Sequence, residues 1–532
     1  MVYSNVNLLL LCISSISSFL FLLVPYYWWI SPIVTYRKLK RIGFPGPAPS
    51  FPFGNLGEMK KKSLKVTAKS KTSNEISHDI HATAVPFYAR WQRDHGKVFI
   101  YWLGTEPFLY VADPEFLKKM SSDVLGKNWG KPTVFKKDRD SMFGRGLNMV
   151  EGEEWVLHRH IITPAFSPAN IKGMSRLMAD ATTKSKSMER WDALISSGNN
   201  EIDVEAEIIK LSGEIIARTA FGLTYEQGRK VLDKLKTLQV TLYSSHFVGV
   251  PFGQLMTPKR TIMSKKLGKE IDDLILDIIM ERKREMIDDG EVQTDLLGLL
   301  LADGKGRNAL SEKVLVDECK TFFFGGHETT AVALSWTLLC LALNPRWQDE
   351  LRDEINKVIG QNEIDYTMIG GLKKMNLVMR EVLRLYSSSP NIQRQTRQDM
   401  VVDGLTIPKD TNIWIDLISM HHDPELWGND VFEFKPERFI NDPLYGGCKQ
   451  KMGYVPFGFG GRMCIGRNFT IMEYNIVLAI ILSRFSFAVS AGYRHQPTIL
   501  LSLRPAYGLW DTSDCYAIEP KLNPIMYTIS FD

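Results

Sequence analysis

The sequence has little cysteine, and what it has is not clustered. Cys12, Cys319, Cys340, Cys448, Cys464 and Cys515 are scattered through 532 residues, and no Cys-x-x-Cys occurs. That excludes the dense disulfide framework of small secreted domains and argues against a four-cysteine zinc site. A reducing compartment is the expected setting. A basic run is also missing. The net charge is only +5, and Lys and Arg do not pile up as in a nucleic-acid arm, so no nucleic-acid partner is expected. There is no internal repeat and no second compositional regime. At 44% hydrophobic and 23% charged residues, the chain is ordinary for a globular protein with a sizeable core.

Charge is absent altogether from Leu8 to Ile30. Those 23 residues match the roughly 20 that a helix needs to span a bilayer. Tyr26, Tyr27, Trp28 and Trp29 form an aromatic belt at the end, and Arg37, Lys38, Lys40 and Arg41 follow. Positive charge after the span predicts a single-pass anchor, residues 8–30, with the rest of the chain cytosolic. A cleaved signal peptide would show the reverse charge order. Residues 31–55 are basic, then proline-rich, and read as a hinge. The polar stretch from Lys60 reads as a surface loop.

The remainder, residues 56–532, reads as one mainly α domain with a small β-rich side region. A helix of about thirty residues starts near Ser311 and is apolar almost all round, so it should be buried. Strand-like pieces are "KVFIYWL", "PFLYVAD", "MVVDGLTIPKDTNIWIDL" and "FSFAVSAG".

One cysteine stands in an unusual frame. In "PFGFGGRMCIG", Cys464 is surrounded by Phe457, Gly460, Arg462 and Gly466, the pattern Phe-x-x-Gly-x-Arg-x-Cys-x-Gly. A thiolate ligand needs donors close by to moderate its charge, and glycines let backbone N–H groups approach it. The stretch resembles the haem-binding loop of the cytochrome P-450 monooxygenases, in which a thiolate on haem iron favours O–O cleavage. Other segments resemble the same family in the same order. "GGHETT", Gly325 to Thr330, lies inside the long helix and matches the family's oxygen-side motif. The resemblance gives Glu328 and Thr329 the roles of proton-delivering acid and alcohol, and gives His327 none. The glycines and hydroxyls there predict a local opening of the helix. "REVLRLY" carries Glu381 and Arg384, and "FKPERF" carries Arg438; the resemblance implies a buried Glu–Arg–Arg cluster behind the haem loop. Trp155 and Arg159 match a Trp-x-x-x-Arg helix. With Arg394 and Arg462, Arg159 is implied to pair with the haem propionates, which suits the planar guanidinium fork. His158 is expected to be packed or half-exposed.

The resemblance runs from the anchor to about Leu509 and is nearest to plant membrane-bound members. It implies haem b and a cytochrome P-450 fold. The implied partners are NADPH–cytochrome P-450 reductase, a lipophilic substrate (terpenoid, hormone or fatty-acid type) and the endoplasmic reticulum membrane. Lys449, Lys451 and Arg467 flank the loop where the reductase would approach. A haem-thiolate isomerase or dehydratase, and a non-catalytic haem protein, are the alternatives. Such isomerases typically lose the acid–threonine pair that this chain keeps. Phe135, Phe247 and Ile392, and the apolar segment 238–260, are candidates for the substrate pocket. After Leu509 the chain leaves the family's pattern, and residues 510–532 read as a divergent tail that fails to complete the usual last sheet.

Overall fold

A computed structural model describes residues 23–60, 76–121, 129–198, 201–243, 247–288, 295–303, 310–490, 493–506 and 526–530. The helices around the site and its supports include α1 (Ser31–Ile42), α2 (Gly152–Ile162), α3 (Val204–Phe221), α4 (Tyr225–Tyr243), α5 (Glu312–Leu343), α6 (Lys373–Leu385) and α7 (Arg467–Leu482). The strands are β1 (Val98–Leu103), β2 (Glu106–Val111), β3 (Trp129–Gly130), β4 (Glu201–Asp203), β5 (Asn391–Thr396), β6 (Met400–Val402), β7 (Leu405–Ile407), β8 (Asn412–Asp416), β9 (Ser486–Val489), β10 (Pro497–Leu500), β11 (Ser502–Pro505) and β12 (Met526–Ser530).

The expected long helix is α5. Ser311 caps it, its hydroxyl accepting the Val314 N–H. Beyond the first turn almost every side chain is buried, so the helix runs through the core and not along its surface. Its main neighbour is α3. Phe323 stacks on Phe221 with ring centres 3.9 Å apart. At the crossing, a Cβ on Gly326 would lie 2.4 Å from the Ile216 Cδ1. The glycine is there so that two helices can touch. The helix does not open at Gly325–Thr330, as the motif suggested. It is α-helical throughout, and the Thr329 and Thr330 hydroxyls bond back to the Gly325 and Gly326 carbonyls within the turn.

The β region is a five-stranded sheet in the order β1-β2-β8-β5-β3, with its own apolar core around Trp102, Tyr110 and Ile413. "MVVDGLTIPKDTNIWIDL" divides into three strands. β6 and β7 form a hairpin whose turn residues Asp403 and Gly404 both have positive φ, and β8 joins the large sheet. The second core lies among the helices.

Two expectations need correction here, and a third falls mostly outside the described residues. Residues 31–55 are not a hinge. Leu39 of α1 and Phe44 are buried, the Ile100 N–H donates to the Pro45 carbonyl at 2.8 Å, and Gly54 bridges to Leu103. Proline stops the helix, but the apolar residues between the prolines still dock; Phe51 packs edge-on against Trp102 at 5.0 Å. Second, β12 does complete a sheet. It lies between β4 and β9, with Tyr527 opposite both Ile202 and Val489. The tail arrives late in sequence but supplies the central strand. Third, no helix among the described residues is long and apolar enough to cross a membrane. Most of the expected anchor, residues 1–22, and the loop at 61–75 lie outside the described residues. Residues 23–30 are helical and run straight into α1.

The β12 ladder gives a first prediction. Ending the chain at Ala506 removes β12, which among the described residues is the strand that links β4 to β9, so the apo protein should lose about 1–3 kcal/mol of stability, a typical range for one substantial local loss. Thermal melts of full-length and shortened protein check it. Equal melting temperatures would show that the strand contributes nothing.

Candidate active site

Cys464 sits on a tight loop between the glycine run before it and helix α7. Gly458 and Gly460 take positive φ values of 76° and 63°, which a side chain would resist. The turn is closed by the Cys464 N–H donating to the Phe457 carbonyl at 2.9 Å and the Met463 N–H to the Gly460 carbonyl at 3.1 Å. The Gly466 N–H faces the sulfur. Burial pushes the thiol above its ordinary pKa, while that N–H, Arg159 and Arg467 act in the other direction. The sulfur is exposed only in the sense that it opens into a cavity.

That cavity has about 1080 Å³ of empty space, part of it open to solvent. Cys464 and Gly466 line one wall. Gly325, Gly326 and Thr329 of α5 line another. A Cβ at Gly325 would meet nothing within 4 Å, so this glycine leaves the wall flat where Gly326 serves the helix crossing. Phe322, Ile216, Met174 and Phe469 make the walls apolar.

The polar end is cationic. Lys131, Arg159, Arg394 and Arg462 all line the cavity, and no carboxylate does among the described residues. Arg462 stacks over Trp155 at 4.8 Å and donates to the Val150 carbonyl at 2.9 Å. Arg159 donates to the Met463 carbonyl at 3.1 Å. Buried Arg394 Nε and Arg462 Nε have no hydrogen-bond partner among the described residues. Burial, with Arg462 as neighbour, lowers Arg394 to about 9; burial also lowers Arg462 to about 10. Burial and the three arginines 394, 139 and 462 drive Lys131 well down. Cations so placed call for an anion. An apolar slot with cationic donors at one end and a thiol on one face fits haem with its two carboxylates, so the residues present suit that group.

The sequence motifs separate when placed. Cys464, Gly466, Arg462, Trp155, Arg159, Arg394 and Thr329 share the cavity. Phe457 and Gly460 shape the loop without lining it. Glu328 does not reach the cavity. Its Oε1 accepts from Ser502 Oγ at 2.6 Å, Arg504 Nη1 at 3.0 Å and Gln239 Nε2 at 3.1 Å. It lines a second cleft, behind α5, of about 1600 Å³ of empty space including open solvent. Burial raises Glu328, but Arg504 pulls it below the usual carboxylate range; Glu205, which shares Arg504, is pushed by burial up to about 7. Acid and alcohol are adjacent in sequence but open on opposite sides of α5.

Glu381, Arg384 and Arg438 do come together. Arg384 meets Glu381 with Nε and Nη2, both at 2.8 Å, and Arg438 Nε reaches Glu381 at 3.4 Å. His158 is buried, with Nδ1 2.7 Å from Glu318 Oε1. Phe135, Phe247 and Ile392 do not line the cavity. Phe135 packs under Arg139 and against Phe108, Phe247 lies near Phe53, and Ile392 belongs to the sheet core. Lys131 was missed because no pattern surrounds it in sequence. Lys449 and Lys451 are exposed, and Arg467 lies over the Phe457 ring.

Comparison with known proteins agrees with this geometry. A profile of the cytochrome P-450 family matches residues 78–506. A cytokinin hydroxylase of Arabidopsis thaliana is 35% identical over 520 residues, covering 94% of this chain and 97% of the relative. Cytochrome P-450 709B1 of the same plant is 36% identical over 493 residues, 90% and 92% of the two chains. Cytochrome P-450 714B2 of Oryza sativa subsp. japonica is 33% identical over 502 residues, 90% and 91%.

Proposed function

The chain belongs to the cytochrome P-450 family and is a haem-dependent monooxygenase, and from that premise we propose that it hydroxylates a lipophilic hormone-type small molecule, with cytokinins the first class to test. The observation that carries the reading is the single cavity that holds Cys464 and Thr329 on different walls, with cations at one end. When bound, haem supplies oxygen activation, with Cys464 as its thiolate ligand. Lys131, Arg159, Arg394 and Arg462 hold the two propionates. The apolar walls orient the substrate and exclude water. Two relatives carrying the name cytokinin hydroxylase support the substrate class.

Thr329 puts a hydroxyl on the cavity wall formed by α5. In this reading it accepts and passes a proton at Oγ1, which rests on the Gly325 carbonyl at 2.8 Å. Glu328, which faces the cleft behind α5, is the acid that would supply those protons. Thr329→Ala should leave haem binding intact and lower product formed per NADPH consumed several-fold, with more peroxide released. Unchanged coupling would remove Thr329 from the relay.

Electrons come from NADPH through a reductase, for which exposed Lys449 and Lys451 beside the loop offer a cationic face. The protein is anchored through residues 8–30 in the endoplasmic reticulum membrane, domain in the cytosol. Exposed apolar Phe252, Leu255, Met256, Ile262 and Met263 on one segment support contact with the bilayer surface. The decisive experiment supplies purified protein with NADPH, a plant reductase and cytokinins, gibberellins, other terpenoids or fatty acids in turn. Hydroxylated cytokinin is the expected product. Hydroxylation of another class alone would refute the substrate reading, and no NADPH-dependent product at all would favour an isomerase or a haem carrier.

A further inference from the structure

Away from the cavity, a buried aromatic pair is joined to a line of hydrogen bonds. Trp336 of α5 and Tyr386, just after α6, are stacked with ring centres 4.2 Å apart and planes 12° from parallel. Both are fully buried. The Tyr386 hydroxyl lies 2.6 Å from His78 Nδ1 and 3.2 Å from His495 Nε2. His495 Nδ1 lies 2.8 Å from the Tyr493 hydroxyl. Two opposite polarities satisfy all three bonds, and one of them ends at His78. In that one, Tyr493 donates to His495 Nδ1, His495 Nε2–H donates to the Tyr386 oxygen, and Tyr386 O–H donates to His78 Nδ1. His78, His495 and Tyr493 are only half-buried, so the line runs from a buried phenol toward solvent.

Such a cluster could simply tie segments 78, 386 and 495 together. Two features ask for more. The phenol is the one group here that can lose an electron only if its proton has somewhere to go, and an imidazole stands 2.6 Å away. The indole is differently placed: its Nε1–H donates to the Leu503 carbonyl at 2.8 Å, and a carbonyl is too weak a base to take a proton. Burial lowers His78 to about 4 and His495 to about 3, so both are neutral at pH 7 with a lone pair available. Trp336 also sits on the helix that lines the main cavity. It is seven residues beyond Thr329, roughly 10 Å along the axis at 1.5 Å per residue.

We propose that Trp336 and Tyr386 form a redox-active pair that discharges a one-electron oxidising equivalent from the main cavity when no substrate takes it. The sequence of steps balances. Oxygen activation with no substrate leaves in the cavity an oxidant carrying two equivalents, and the relay reduces it in two successive one-electron turns, with protons from solvent completing water. In each turn Trp336 gives the oxidant one electron and keeps its N–H proton. Tyr386 refills Trp336 with one electron, and its O–H proton moves to His78 Nδ1, leaving a neutral phenoxyl and an imidazolium. An oxidised phenol is a far stronger acid than an imidazolium, so the transfer runs toward His78 even with that ring's lowered basicity. A soluble one-electron donor of the thiol or enediol class returns the electron, and the proton comes back from His78. The inference rests on the monooxygenase reading but not on any substrate.

The test mixes haem-loaded full-length protein with an organic peracid in the absence of substrate and freezes it for electron paramagnetic resonance. The carbon monoxide spectrum of the same sample reports haem separately. A tyrosyl signal, narrowed when tyrosine is ring-deuterated, is expected in the unmodified protein. Tyr386→Phe keeps the stack and should reduce it at least five-fold, and His78→Phe should slow its formation several-fold. During NADPH consumption without substrate, haem in Tyr386→Phe should bleach several-fold faster. A tyrosyl signal of equal size in Tyr386→Phe, or no signal in haem-loaded unmodified protein, overturns the proposal. So does a Tyr386→Phe variant that only melts lower, with radical yield and bleaching unchanged.

Discussion

Cys464→Ala is expected to abolish the far-red Soret band of the reduced carbon monoxide complex and to reduce haem retained on purification at least ten-fold. Among the described residues the cavity wall offers no second cysteine and no histidine. Among the described residues, Cys319, Cys340 and Cys448 are buried elsewhere, and Cys464 is the one cysteine on the cavity wall. His158 is engaged with Glu318, and His327 faces the cleft behind α5. Folding should survive. The loop is held by backbone bonds, including Cys464 N–H to Phe457, and alanine keeps every one of them. A far-ultraviolet spectrum close to the parent, together with the lost Soret band, is the expected pair of results. A persistent thiolate-type band in this variant would remove Cys464 as the ligand.

Arg384→Ala should have the largest effect on stability. Its guanidinium is fully buried and saturated. Besides the two bonds to Glu381 it donates to the Val431, His421 and Glu433 carbonyls at 2.7, 3.0 and 3.2 Å. Alanine would leave the Glu381 carboxylate with Arg438 as its remaining cation and strand three carbonyls. Breaking one side of a buried pair costs about 3–5 kcal/mol, a large part of the 5–15 kcal/mol by which a folded protein is usually stable. Soluble yield should collapse, or haem should be lost on mild warming. Arg384→Lys keeps the charge but not the fork, and should fall between. Haem release on a temperature ramp, compared across the three proteins, reads this directly. An alanine variant that matches the parent would mean that the cluster does not hold the core behind the loop.

What could be read from sequence depended on whether the chemistry was local. The Cys464 loop, the Glu381–Arg384 spacing and the α2 pair Trp155 and Arg159 each encode their geometry within a few residues, and all were legible. Lys131 was not, because its role is defined only by three arginines that arrive from distant segments. Glu328 was half legible. Successive residues on a helix are turned by about 100°, so an acid and an alcohol next to one another cannot both face one cavity wall squarely. Gly325 and Thr329, four apart, can. The tail strand was misjudged because its partners, Ile202 and Val489, are set by long-range pairing that no local pattern reports.

Because Pro45 and Gly54 are stitched to β1, and α1 buries its Leu39 against the domain, whatever fixes residues 23–42 in space also fixes the domain's attitude. A flexible tether would let the domain sample every orientation above a bilayer. A docked one behaves as a bracket. With the anchor proposed above, encounters with a membrane-bound electron donor would become a search in two dimensions with the tilt already set, and the fold would meet the rotational part of the association cost. Lengthening the chain between residues 43 and 55 would therefore act less as extra reach than as a loosened mounting.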